Sequence, residues 1–228
     1  MSKLLKNLLF FGLNLFFINK QSGPSILMYH SVGHNQAFFT VKPKIFEKQL
    51  AYLKNKGFKI VFLSELIRLL KEKQDCSKIV VLTFDDGYLD NYEIVLPLLK
   101  KYQLPATIFL ITGLLGSNWA NSENISLPLL REPEIKEIIL SGLVEFMPQN
   151  IFAYPKGRSN QQAIDIIRKN GFIAAVTTTE GLVNLNNYNL YQLPRNAVNS
   201  KTSRAQFIGK LSNSIDYYLK LKNFFGRK

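Results

Sequence analysis

The chain predicts an α/β fold built on a largely parallel sheet, either open or closed into a barrel. Two observations carry this expectation. Strand-like and helix-like segments alternate almost throughout the 228 residues. The strand-like segments are mostly continuous apolar runs rather than alternating ones, as strands buried on both faces require. The length suits one domain with a sizeable core.

Taken in order, ILMY (26–29) follows Gly23-Pro24 as a buried-strand candidate. KPKIFEKQLAYLKNKG carries Ile45, Phe46, Leu50 and Leu53 near helical spacing and stops at Gly57. FKIVFL reads as a strand, and Ser64 with Glu65 opens a helix through Leu70. KIVVLTFDDG is a β-branched run into two carboxylates and a glycine. NYEIVLPLLKKYQ is a helix with Pro97 inside it or at a break, and PATIFLITG is a strand. PEIKEIILSG is a short helix with Pro133 near its start and Gly142 beyond its end. LVEF and IFAYP are strands, QQAIDIIRKNG a helix closed by Gly171, and FIAAVTT a strand. The expected division is a terminal segment over 1–22, one domain over 23–199 and a basic amphipathic helix over 200–228, with Phe207, Leu211, Ile215 and Tyr218 on one face.

Composition narrows the function classes. Hydrophobic residues make up 46% and charged residues 20%, a globular balance. The single cysteine, Cys76, excludes an internal disulfide and a multi-cysteine zinc site, and reads best as a strand-edge residue. The net charge of +13 implies attraction to anionic surfaces. No Arg-rich run or nucleic-acid motif accompanies it, so no nucleic-acid partner is expected. In MSKLLKNLLFFGLNLFFINKQSGPS, lysines precede an apolar run from Leu8 to Ile18, the order of a secretory signal. The run is short for a membrane span and no A-x-A-like site follows. A removed signal, an uncleaved anchor, an interfacial helix and a helix packed on the fold all stay open. The C-terminal helix can likewise dock on the fold or lie on a membrane.

Asp85 and Asp86 directly follow an apolar strand, where ligands bind in parallel α/β folds. Adjacent carboxylates repel unless a cation takes one of them. One could then hold a metal while the other accepts a proton from water. Gly87 permits a tight turn and close ligand approach. An N-cap aspartate in a solvated loop is the competing account.

TFDDGY with its strand, LPATIFLITG, ILMYHSVG, FFTVKPKIFEKQLAYLKNKGFKIVFLSEL, and FAYPKGR with GFIAAVTTTEG resemble the polysaccharide deacetylases (NodB homology, carbohydrate esterase family 4). The likeness runs from about Ile26 to Ala197, and it is to the branch acting on poly-N-acetylglucosamine and related glycans. The resemblance implies a distorted, here incomplete, (β/α) barrel and metal-assisted hydrolysis of a sugar acetamide on an N-acetylated polysaccharide of the cell envelope. It implies a divalent metal, usually zinc. Asp85 would be the general base, Asp86 a metal ligand and His30 the general acid. Lys156 would lend a backbone N–H to the oxyanion, with Tyr154, Pro155 and Gly157 shaping the pocket. Tyr88, with Tyr29, Tyr154 and Trp119, offers candidate sugar-stacking faces. Arg158 and Arg195 are weaker candidates for positive charge near the base.

One departure bears on all of this. The family holds its metal with two further histidines in an H-x-x-x-H motif after the strand that LVEF resembles. Here LVEF is followed by MPQN and then IFAYP, and the whole chain has only His30 and His34. Parallel neighbours need a crossover of roughly a dozen residues. The two segments should therefore merge into one bent strand, pair as a hairpin around Pro148, or separate, one leaving the sheet. His30 and His34 share the H-x-x-x-H spacing, but Gly33 argues against a helix there. An inactive descendant that binds glycan or a membrane surface is the alternative reading, and an unstable remnant a third.

Overall fold

The computed structural model describes residues 2–17, 20–120, 125–146 and 150–225. The elements, in chain order, are α1 (Lys3–Phe16), β1 (Ser25–Tyr29), α2 (Pro43–Asn55), β2 (Lys59–Ile60), α3 (Leu63–Lys71), β3 (Ile79–Phe84), α4 (Leu96–Tyr102), β4 (Ala106–Ile108), β5 (Asn118–Ala120), β6 (Ser126–Pro128), α5 (Glu132–Leu140), β7 (Val144–Phe146), β8 (Ile151–Ala153), α6 (Gln161–Lys169), β9 (Ala174–Val176), β10 (Asn196–Ala197), α7 (Arg204–Gly209) and α8 (Ser214–Phe225). Several strands are shorter than their apolar runs suggest. FKIVFL yields only β2, because Phe62 is already the N-cap of α3. The expected helix over 91–103 begins as a π-helical turn at Asn91–Val95 that runs directly into α4, and Pro97, which has no N–H to give, stands just after that turn.

The main sheet is parallel, in the order β10-β1-β3-β4-β7, with β2 also pairing to β3. β8 does not join it. It pairs in parallel with β9, and β9 is bridged to Leu193, three residues before β10. The wall therefore runs from β7 through β4, β3, β1 and β10 to β9 and β8. Among the described residues no ladder joins β7 to β8. The expected hairpin is not formed, since both strands run parallel to their own neighbours; the separation is the outcome observed. Met147, Pro148 and Gln149, the proposed turn, lie outside the described residues. The link is feasible because both strands are only three residues long. Five steps from Phe146 to Ile151 span at most about 18 Å.

The alternation of side chains on β1 and β3 fills two cores. Leu27, Tyr29, Leu82 and Phe84 pack outward with Phe46, Leu50, Leu53 and Leu99 of α2 and α4. Ile26 and Val81 pack inward with Ile151, Ala174, Val176 and Leu193, which places β8 and β9 across the interior from β1 and β3. Helix α3 adds Leu63, Leu66, Ile67 and Leu70 to this inner cluster. Its N-terminus is held by Glu145 of β7, which accepts from the Ser64 N–H at 3.1 Å, the Ser64 hydroxyl at 2.5 Å and the Thr107 hydroxyl at 2.6 Å. A carboxylate there also complements the helix dipole. Cys76 is buried in the same cluster.

The terminal helices pack together. Phe10 and Phe17 of α1 are buried, and Phe10 lies 4.7 Å from the Tyr218 ring. The helix expected over 200–228 is two, α7 and α8, broken around Lys210–Asn213. Phe207, Leu211, Ile215 and Tyr218 are nevertheless all buried. No helix among the described residues is long and apolar enough to cross a membrane.

Candidate active site

β3 ends at Phe84, and the Asp85 N–H donates to the Tyr29 carbonyl at 2.9 Å, extending the β1–β3 ladder by one residue. The chain then turns sharply. Asp86 and Gly87 both have φ of 72°, an uncommon conformation for the aspartate. Gly87 is needed twice over, because a Cβ there would also meet Leu110 Cδ2 at 2.4 Å. Both carboxylates thus sit at the carboxyl end of a central strand.

Asp85 is gripped by Arg195, which donates from its two terminal nitrogens to the two carboxylate oxygens at 2.7 and 2.9 Å. The Arg195 side chain is only 1% exposed. Its Nε donates to the Thr177 carbonyl at 3.0 Å, and its guanidinium stands 5.6 Å over the Phe109 ring. A two-point clamp of this kind fixes carboxylate orientation as well as charge. Arg195, a weaker sequence candidate for positive charge near the base, is the direct partner of Asp85, whereas the other candidate, Arg158, is exposed.

Asp86 differs. Burial pushes its carboxyl upward, with His30 opposing and Asp85 reinforcing the rise. His30 is half-buried, its ring 5.5 Å from Phe39, which stacks in turn on Tyr88 at 5.4 Å. The loop bearing His30 is tied down from below. Asn91 Nδ2 donates to the His30 carbonyl at 3.0 Å. Asp90 accepts from the Ser31 hydroxyl at 2.5 Å and the Val32 N–H at 3.1 Å. Burial raises the Asp90 carboxyl to about 6. Neither Asp90 nor Asn91 was singled out in the sequence, although both follow the carboxylate motif within five residues. His34 is exposed.

The YPKG segment forms a tight turn, with Lys156 at φ 55° and Gly157 at φ 67°. A Cβ on Gly157 would lie 2.1 Å from Thr178 Oγ1. Thr178 follows Thr177, whose carbonyl holds Arg195, so adjacent residues connect this turn to the Asp85 clamp. Pro155 and Lys156 are exposed.

The stacking role expected of the tyrosines does not hold. Tyr29, Tyr88 and Tyr154 are 0%, 1% and 4% exposed. Tyr154 points away from the interior because side chains alternate along β8. Ile151 and Ala153 face the inner cluster, while Phe152 and Tyr154 pack beneath α6. Trp119, 37% exposed, is the one of the four with an open face. It lies on the β5–β6 hairpin, whose continuation bridges Leu129 to Tyr88 beside the aspartate turn.

The donor set does not fit a catalytic metal held in the usual way, by three protein ligands. Asp86 and His30 act on one another electrostatically, but among the described residues no three His, Cys, Asp or Glu side chains gather around a common point. Asp85 is already engaged by Arg195.

A family model described as polysaccharide deacetylase matches residues 72–147. The Bacillus subtilis protein YxkH, which carries a provisional polysaccharide deacetylase name, is 30% identical over 207 residues, covering 80% of this chain and 74% of that protein. A Staphylococcus aureus poly-β-1,6-N-acetyl-D-glucosamine N-deacetylase is 37% identical over 109 residues, 47% of this chain and 36% of that one. Among solved structures, Ammonifex degensii IcaB superposes with a TM-score of 0.73 at 23% identity, over 84% of this chain and 98% of IcaB. The Streptococcus pyogenes deacetylase PplD, solved with acetate, gives 0.69 at 25% identity, over 84% and 99%.

Proposed function

Because this chain belongs to the polysaccharide deacetylase family, we propose that it hydrolyses the acetamide of an N-acetylated cell-envelope polysaccharide, releasing acetate and leaving a free amine on the sugar. The observation that carries this reading is the Asp85–Arg195 clamp at the end of β3. Asp85 takes a proton from water as the water oxygen adds to the acetamide carbon. The Lys156 N–H donates to the developing oxyanion, and His30 protonates the departing nitrogen. Trp119 supplies an exposed face for a sugar ring at the rim. The family's metal would add Lewis-acid activation. Asp86 is the residue here that would hold it, and no step above is assigned to it.

The short donor set favours a second reading, a protein that binds the glycan without turning it over. Acetate release from β-1,6-linked N-acetylglucosamine oligomers, measured beside Asp85→Asn, separates the two. Release that disappears in the variant supports hydrolysis. Release no greater than in the variant, with oligomer binding intact, would sink the hydrolytic reading and leave the binding one.

A further inference from the structure

Unlike ordinary helices on a water-facing surface, helix α1 is apolar on its outward face as well as around the buried Phe10, against which Leu9 and Leu13 pack. Such helices bury their apolar stripe and expose their polar one. Here the two asparagines point inward. Asn7 Oδ1 accepts from the Ser203 hydroxyl and Gln206 Nε2, each at 2.8 Å, and Asn14 Nδ2 donates to the Ala205 carbonyl at 2.8 Å. Phe10 wedges between them against Gly209, so closely that a Cβ there would meet its ring at 2.3 Å. The outward arc carries Leu4, Leu5, Leu8, Phe11, Leu15 and Phe16, each between 55% and 75% exposed, with only Gly12 interrupting it. Among the described side chains nothing polar lies on that arc.

Charge identifies what covers it. Phe11 and Leu15 form one wall of a groove of about 520 Å³ between α1, α7 and the end of α2. Its exposed cations are Lys56, Lys78 and Arg204, and among the described residues no acidic side chain lines it. A second groove of about 800 Å³ shares Lys56 and Arg204 and adds Lys42 and Lys48. A second copy of this chain would bring the same cations against these. A bilayer with anionic headgroups satisfies both features, taking leucine and phenylalanine into its acyl boundary and pairing phosphates with the flanking cations. We propose that α1 lies flat on an anionic phospholipid surface through Leu4, Leu8, Phe11 and Leu15, with Lys56, Lys78 and Arg204 meeting the headgroups. This seat is independent of the hydrolytic reading.

Flotation of the full chain with vesicles tests it, comparing phosphatidylglycerol–phosphatidylcholine mixtures with phosphatidylcholine alone. The chain is expected to float with the anionic vesicles. The double variant Leu8→Gln/Phe11→Gln should lose roughly tenfold or more of that partitioning while keeping its thermal melt, since both side chains are exposed. Lys56→Glu/Arg204→Glu should remove the preference for the anionic lipid. The proposal is overturned if the unaltered chain stays with the soluble fraction, or if Leu8→Gln/Phe11→Gln floats as well as it does. A dimer in lipid-free sedimentation that the leucine–phenylalanine variant disperses, without vesicle binding, would also overturn it and assign the face to a second copy.

Discussion

Removing the guanidinium of Arg195 would leave the largely buried Asp85 carboxylate without the ion-pair partner it has in the fold. Breaking a buried pair by deleting one partner typically costs about 3–5 kcal/mol. Arg195→Ala is therefore expected to lower unfolding free energy by about 3 kcal/mol in denaturant titration and to abolish any acetate release. Arg195→Lys should keep part of the stability but not the activity, because an ammonium cannot reproduce the two-point contact. Asp90 offers a pH test. Its carboxyl titrates near 6 in the fold against about 4 in an unfolded chain, so folding takes up a proton between those values. Its contribution is fully present below about pH 4 and is lost as pH rises through about 6, on the order of 2 kcal/mol. Asp90→Asn should remove that part of the slope, seen as a smaller stability difference between pH 4 and pH 7. At this scale the sequence was legible where residues were contiguous. TFDDG announces its aspartates, whereas Arg195 reaches Asp85 across 110 positions and sits in no periodic segment. The orientation of Tyr154 was not legible either, because an aromatic at a strand end suits either face.

At the scale of elements, the strands with continuous apolar runs were readable. β1 and β3 are fully buried along their lengths, as their composition demands. The extents of β2, β4 and β9 were not, since an apolar run also supplies the helix cap or loop that follows. The separation of β7 from β8 has a dynamic consequence. β7 pairs on one side with β4, and β8 with β9, and neither has a described ladder on its other side. Amide protons of β7 and β8 are expected to exchange with solvent well ahead of those of β3, which is paired on both sides. Equal protection of β8 and β3 in native-state exchange would mean that the seam closes. The α1 helix shows the limit of hydropathy alone. Its composition suggested a leader or an anchor, and only the placement of Asn7 and Asn14 against α7 distinguishes its two faces.

For the whole molecule, the fold class and the family followed from the alternation of strands and helices and from a few motifs. The count of two histidines is what set the expectation of a short metal-ligand set. With no group of three metal-binding side chains among the described residues, stripped protein is expected to bind zinc more weakly than about 1 μM by calorimetry, and Asp86→Ala to weaken it further. Tight binding of one equivalent, abolished by Asp86→Ala, would require a ligand set other than the one assembled here.

The gap between β7 and β8 also makes this chain a natural acceptor for transplantation. Both flanking strands already run in the sense that a βα unit between them would need, and Asp85 with its arginine clamp is already assembled across the interior. A donor loop bearing paired imidazoles, spliced between Phe146 and Asn150, would ask whether new donors can be seated opposite Asp86 without disturbing the existing scaffold.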